Sequence, residues 1–262
     1  MMRITALIFI CLLFSARAGY AAAEQTASDL AKMMQQAKYS EGFEARLNVL
    51  ITKANGSHPL PFKLAVIGQF NATKQRLVIR GVSPEVVRNH FYAAENSSDG
   101  RVKAVESRGQ ASGYDEIDPN ARMYNSGLVA WDMLGLWWGW QRQEMEGGGQ
   151  INGRECVKIR SVADDKNSVV QEVESCVDPL AKLSLRTRMF DHSHALLRTT
   201  SVAHLAHKGE GGGMMAKKLS IKEADKTLAE IEVYAGDEQY QISAETFAML
   251  DSPTRNTQRE TK

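Results

Sequence analysis

From Phe43 to Tyr234 the chain repeatedly alternates apolar and polar residues with a period of two, and that alternation leaves room for little but a sheet. Phe43, Ala45, Leu47, Val49 and Ile51 alternate with Glu44, Arg46, Asn48 and Thr52, broken only at Leu50. Successive side chains of a strand point to opposite faces, so such a row buries one face and wets the other. Phe62, Leu64 and Val66 repeat the pattern against Lys63 and Gln69, after Asn55, Gly56, Ser57, His58 and Pro59 supply a turn. Further strands are predicted at 74–80, 90–95, 101–107, 155–162, 169–177, 182–190, 195–206, 214–222 and 227–234. The turns between the later ones, at 164–167, 178–179, 191–194, 209–213 and 224–226, are too short to carry crossover helices, so the strands are antiparallel. With about eleven strands, no linker and no internal repeat, residues 24–250 read as a single α+β domain. Residues 251–262 have almost nothing to bury and read as a disordered tail.

The N-terminus carries a different signal. Met1, Met2 and Arg3 precede an apolar run from 4 to 14, then Ala16, Ala18, Ala21, Ala22 and Ala23. A basic start, a short apolar stretch and small residues at the cut make residues 1–23 a secretory signal peptide, cleaved near Ala21 or Ala23. The protein is therefore expected in the periplasm, though Asn55, Asn71 and Asn96 lie in sequons that would matter in a eukaryotic secretory route. Cys11 does not follow a small residue, which argues against a lipid anchor. Removing Arg3 and Arg17 leaves about 30 basic residues against 31 acidic ones, so no basic footprint for nucleic acid exists. A content of 43% hydrophobic residues excludes a wholly disordered chain.

Helical spacing is confined to two places. Leu30, Met33, Met34 and Ala37 fit one face of a short helix with Ser28 as its N-cap. Ser83, Pro84 and Glu85 mark a single turn, and residues 110–122 are irregular. Residues 128–140 are the most apolar stretch of the mature chain and hold Trp131, Trp137, Trp138 and Trp140. As a helix capped by Asn125 or Ser126 they place Trp131, Leu134 and Trp138 on one face, with Met133, Leu136, Trp137 and Trp140 on the next. That is wider than the roughly 100° stripe an ordinary surface helix buries. Two readings follow: a fully buried core helix, or a cover over a curved sheet with one side facing an apolar cavity. Gly147, Gly148 and Gly149 then break the chain before the strands resume.

Cys156 and Cys176 lie equally far from Lys166. A hairpin centred there sets Cys156 opposite Cys176, Lys158 opposite Glu174, Arg160 opposite Glu172, Val162 opposite Val170 and Ile159 opposite Val173. Opposite charges and matched apolar pairs in one register favour it, and export favours a disulfide. No Cys-x-x-Cys motif points to a reactive thiol pair.

Recognisable catalytic patterns are missing: there is no Gly-x-Ser-x-Gly elbow, phosphate loop or His-Glu-x-x-His helix. His194 and His204 stand at opposite ends of one predicted strand, roughly 33 Å apart at 3.3 Å per residue, so they cannot share a metal. No catalytic residue, metal site or cofactor is expected.

The run Ile151, Asn152, Gly153, Arg154, Glu155, Cys156, Val157, Lys158, Ile159 resembles the Gly-x-x-Cys/Tyr-x-x-Leu strand of the LolA-like outer-membrane lipoprotein-sorting superfamily. Val173 to Asp178 is similar to the Trp-Val-Asp strand end that follows it, with Cys176 in place of Trp. Met189, Phe190 and Asp191 with Leu196, Leu197 and Arg198 resemble the family's Tyr-Asp…Leu-Leu-Arg hairpin. Trp131, Asp132, Met133 and Leu134 with Leu136 and Trp137 resemble its helix, and Phe247 its terminal Phe. The resemblance implies an unclosed antiparallel half-barrel of about eleven strands, with helices covering a concave face that holds acyl chains. It implies binding rather than catalysis, with an acylated lipoprotein or other lipid as cargo, transient inner- or outer-membrane partners, and a monomer.

On that reading the sheet contributes Phe43, Leu47, Val49, Phe62, Leu64, Leu183, Leu185 and Met189 to the cavity wall, and Trp131, Leu134, Trp137 and Trp138 complete it. Assignment of faces rests on alternation, and a one-residue slip would reverse it. Two rivals stand beside the carrier. One is an envelope-stress regulator of the RseB type that binds a membrane partner, for whose extra domain the residues after Tyr234 leave no room. The other is a secreted hydrolase using His192 and Asp191.

Overall fold

The computed structural model describes residues 25–59, 61–97, 101–108, 113–208 and 213–252. The signal-peptide reading lies outside these residues, as does the tail beyond Ser252.

Among the described residues alternation produces a single sheet of thirteen strands: β1 (Ser40–Thr52), β2 (Phe62–Phe70), β3 (Lys74–Ser83), β4 (His90–Ser97), β5 (Val102–Arg108), β6 (Asp115–Glu116), β7 (Arg142–Ile151), β8 (Arg154–Val162), β9 (Glu172–Asp178), β10 (Leu183–Phe190), β11 (Leu196–His207), β12 (Met214–Glu223) and β13 (Leu228–Asp237). Their spatial order is β6-β5-β4-β3-β2-β1-β13-β12-β11-β10-β9-β8-β7, and neighbours run antiparallel. The chain steps outward from β1 to β6, restarts at the opposite edge with β7, and steps back until β13 pairs with β1. β6 and β7 do not pair, so the sheet is open.

Expectation and structure differ at both edges. The sheet has thirteen strands rather than about eleven because β6 forms inside the segment read as irregular, and β7 runs through Gly147, Gly148 and Gly149. A glycine run is tolerated there because β7 is an edge strand pairing only with β8. Gly147 takes φ +91°, where the pairing slips between Met145 and Gly147.

Because β6 and β7 are opposite edges, the segment from 117 to 141 must travel from one edge to the other across a face. It is not the continuous helix expected over 128–140. Helix α3 (Ala130–Leu134) stops at Gly135, whose φ of 60° is left-handed, and a 3-10 turn follows at Leu136–Gly139. Helical cover of the sheet is correspondingly slight. α1 (Ala27–Gln36) is capped by Thr26, not Ser28, in a capping box with Asp29. It buries Ala27, Leu30, Ala31 and Met34, a stripe turned slightly from the expected one. Among the described residues the remaining α-helices are single turns, α2 (Glu85–Arg88) and α4 (Ala248–Asp251), beside a 3-10 turn at Met123–Asn125. Asp251, read as the start of the tail, instead ends α4 and takes a hydrogen bond of 3.1 Å from Arg76.

Four apolar clusters result among the described residues. The largest joins β1–β5, β12 and β13 to Met123, Tyr124, Leu128, Ala130 and Leu134. A second joins α1 and the tryptophans to Ile159, Val170, Val173, Val177 and Met189. On the opposite face, Phe247, Met249 and Leu250 cover Val78, Ala93 and Val105. This explains why Leu77, Val78 and Ile79 are consecutively apolar: β3 is buried on both faces. The fourth is Cys156, Cys176 and Leu185.

The cysteines are bonded, with Cα atoms 5.3 Å apart, but the hairpin register is two residues from the expected one. Arg160 faces Glu174, Ser161 faces Val173 and Lys158 faces Cys176. The turn is longer than 164–167 and closes on a bond from the Ala163 amide to the Gln171 carbonyl. A shift of two keeps every side chain on its face, so Cys156 still reaches Cys176 diagonally and Arg160 still reaches Glu172 at 3.4 Å.

Candidate functional site

Between the largest cluster and the second, the crossing segment stands off the sheet and leaves an apolar cavity of about 300 Å³. Its floor comes from the chain's first strands and its last: Phe43, Ala45 and Leu47 of β1, Val66 and Phe70 of β2, Leu77 of β3, Leu219 and Ile221 of β12, and Ile231 and Val233 of β13. Thr187, Met189 and Thr200 close one side, and Leu128, Val129, Asp132, Met133 and Trp137 form the roof. The β1–β13 pair places Leu47 opposite Val233 and Val49 opposite Ile231, which is how residues nearly two hundred positions apart share a wall.

Four of the residues predicted to line a cavity do so: Phe43, Leu47, Trp137 and Met189. The rest are packed elsewhere. Val49 and Leu64 are fully buried in the largest cluster with Leu134, and Phe62 lies against Tyr124 with ring centres 5.6 Å apart. Trp131 and Trp138 belong to the second cluster, where Trp131 stacks on Trp137 at 5.5 Å. Leu183 does not touch the cavity, and Leu185 buries beside the disulfide on the opposite face. The cause is a bulge. Ser184 faces Val177 while Arg186 faces Cys176, so Leu185 is extra and the alternation of β10 inverts there before Thr187 and Met189 resume.

Two polar features fix the roof, and a third polar group in it is unpartnered. Among the described residues Asp132 is the one titratable residue in the wall, and it is held by Arg198, whose Nε donates at 2.6 Å and whose Nη2 donates to the other carboxylate oxygen and to Asn120. Burial pushes the Asp132 carboxyl upward, and the Arg198 charge opposes that shift. Lys38, just past α1, donates to the Met133 and Leu134 carbonyls at 3.1 and 2.5 Å, so a cation meets the open C-terminus of α3. Its ammonium lies 5.1 Å from the centre of the Phe70 ring, and burial pushes its pKa down to about 7. The Trp137 indole N–H is buried without a hydrogen-bond partner among the described residues.

A second, polar hollow of about 590 Å³ lies beyond the crossing segment, bordered by Gln35, Asn71, Asn96, Asn120, Asp164 and the rings of Trp131 and Trp140. Asn120 touches this hollow while its partner Arg198 holds Asp132 in the apolar wall, so the two spaces share one hydrogen-bonded partition. No group of three or more metal-ligating side chains occurs among the described residues.

No protein-family model matches the chain, and no curated protein matches it. Solved structures do. A DUF1329 family protein from Desulfovibrio piger superposes with a TM-score of 0.75 at 15% identity, over 84% of this chain and 95% of that one. An outer membrane lipoprotein-sorting protein domain from Vibrio parahaemolyticus gives 0.74 at 13% identity, over 84% and 95%. A LolA superfamily protein from Nitrosomonas europaea gives 0.66 at 12% identity, over 85% and 97%. The fold is LolA-like. Within this LolA-like sheet, charged residues of the resembling motifs meet in two pairs, Asp132 with Arg198 across 66 positions and Arg154 with Asp178 across 24. Sequence reasoning missed Leu219, Ile221, Ile231 and Val233. Their alternation was legible, but their place in the wall depends on β13 returning to β1.

Proposed function

We propose that this LolA-like protein is an exported carrier that shelters an acyl chain in the cavity beneath residues 128–137. The observation that carries the reading is the hollow itself: an apolar space of about 300 Å³ whose wall contains one ionisable side chain, already neutralised by Arg198. Nothing in that wall is arranged for proton transfer or nucleophilic attack, and binding is what an apolar wall does. If a methylene occupies about the volume of a water molecule, ~30 Å³, the space takes on the order of ten methylenes. At about 0.8 kcal/mol each, they offer roughly 8 kcal/mol before the costs of association. Thr187 and Thr200 add hydroxyls without charge, and the Trp137 N–H can satisfy an oxygen brought by a guest. The disulfide Cys156–Cys176 supports an oxidising compartment, in keeping with the signal-peptide reading of residues 1–23. The name of the Vibrio structure, a lipoprotein-sorting domain, supports traffic at the envelope and a transient membrane partner.

The test is native mass spectrometry of the protein purified from its own host, paired with titration by a fluorescent fatty acid. The carrier reading expects a co-purifying mass of lipid size, or saturable uptake of the probe by delipidated protein. A protein that arrives empty and ignores the probe overturns it.

A further inference from the structure

Next to the apolar cavity lies a hollow of about 400 Å³ that shares Phe43, Ala45 and Val233 with it and that we take as its mouth. The mouth is otherwise bordered by Glu44, Lys208, Met215, Lys217, Tyr234, Ala235, Gly236, Asp237 and Glu238. Its charges are mostly spent within the protein. Lys208 pairs with Glu238, and Glu44 pairs with Arg46 at 2.7 Å. Asp237 accepts the Gln239 amide at 2.8 Å. Lys217 is left as the one charged side chain of the mouth with no ion pair or hydrogen bond among the described residues, although it is half-buried. The backbone places it there. Pairing of β11 with β12 slips at this point, His204 facing Lys218 and Leu205 facing Ala216, so Lys217 sits on an irregularity that re-aims its side chain. Its neighbour Lys218 pairs instead with Glu232 at 3.5 Å.

Resting on the carrier reading, we infer that the cargo is a single-chain fatty acid of about ten carbons, its tail in the cavity under Met133 and Trp137 and its carboxylate on Lys217 at the mouth. Size decides against a multi-chain anchor. Two acyl chains of about fifteen methylenes each need ~900 Å³ at ~30 Å³ per methylene, about three times the cavity's volume. Charge decides the head. A half-buried lysine with no ion pair or hydrogen bond among the described residues lacks an anion, and a terminal carboxylate supplies one at the end of a chain that fills the cavity.

The experiment is displacement of a fluorescent acyl probe from the full mature protein by saturated fatty acids of 8 to 16 carbons, decanoic acid methyl ester, a lysophospholipid and a diacylated lipopeptide. Each is run on the wild type and on Lys217→Gln, with circular dichroism confirming the fold. The expected result is a maximum near ten carbons, weaker binding of the ester, and a five- to tenfold loss for decanoate, but not for the ester, in Lys217→Gln. Equal binding of acid and ester, or a Lys217→Gln protein that binds decanoate as well as wild type, overturns the carboxylate site. Tighter binding of the lipopeptide or lysophospholipid overturns the single-chain acid. In each of these cases the carrier reading stands, whereas failure of every acyl compound to displace the probe removes both.

Discussion

At Gly135 one residue sets where the roof's helix ends. Its φ of 60° is a conformation glycine adopts freely and alanine does not, and a Cβ there would strike the Lys38 ammonium that closes α3. Gly135→Ala should therefore destabilise the protein by about 1–2 kcal/mol, read as a lower urea midpoint at an unchanged slope. Lys38 itself gives a pH signature. Burial holds its pKa near 7, against about 10.4 for a free lysine, so above pH 7 the unfolded chain binds the extra proton. The cost of burying the charge is complete below that value and fades as pH climbs toward 10. Wild-type stability should gain on that of Lys38→Met between pH 7 and 10, and urea melts of the two proteins across that range measure the difference. Parallel curves would contradict a buried ammonium.

Two elements hold the crossing segment and the far hairpin in place. Asp132 and Arg198 join α3 to β11 in near-complete burial, so removing one partner strands the other's charge. Asp132→Asn or Arg198→Met should cost about 3–5 kcal/mol, with much of the loss recovered when both are replaced by apolar residues. The disulfide closes a separation of 20 residues, and Cys156→Ser with Cys176→Ser should cost about 3 kcal/mol without altering the β8–β9 pairing. Pairing survives because charge and apolar partners across the hairpin specify it independently. How much was readable differs between these elements. The cysteine pair was legible because a register error of two leaves faces unchanged. The helix over 128–140 was misread because its apolar periodicity was weighed above Gly135 and Gly139, which punctuate it. Leu185 was misplaced because a bulge leaves no mark in composition.

At the scale of the molecule, antiparallel strands followed from short turns and alternation, and their number came within two. The order of the strands did not follow. That β13 closes on β1, and that 117–141 crosses the sheet, are facts of long-range pairing that local pattern cannot encode. The cavity depends on both, which is why only Phe43, Leu47, Trp137 and Met189 were foreseen in its wall. Most of the indoles fill their own cluster with α1; the hollow lies beside them, bounded by one face of Trp137. Whether that hollow is the binding site can be asked by filling it. Leu219 projects into it without being fully buried. Measured by isothermal titration with decanoate, Leu219→Trp should lose at least tenfold in affinity while its thermal midpoint matches or exceeds that of the wild type. A folded Leu219→Trp protein that binds as tightly as the wild type would contradict the account.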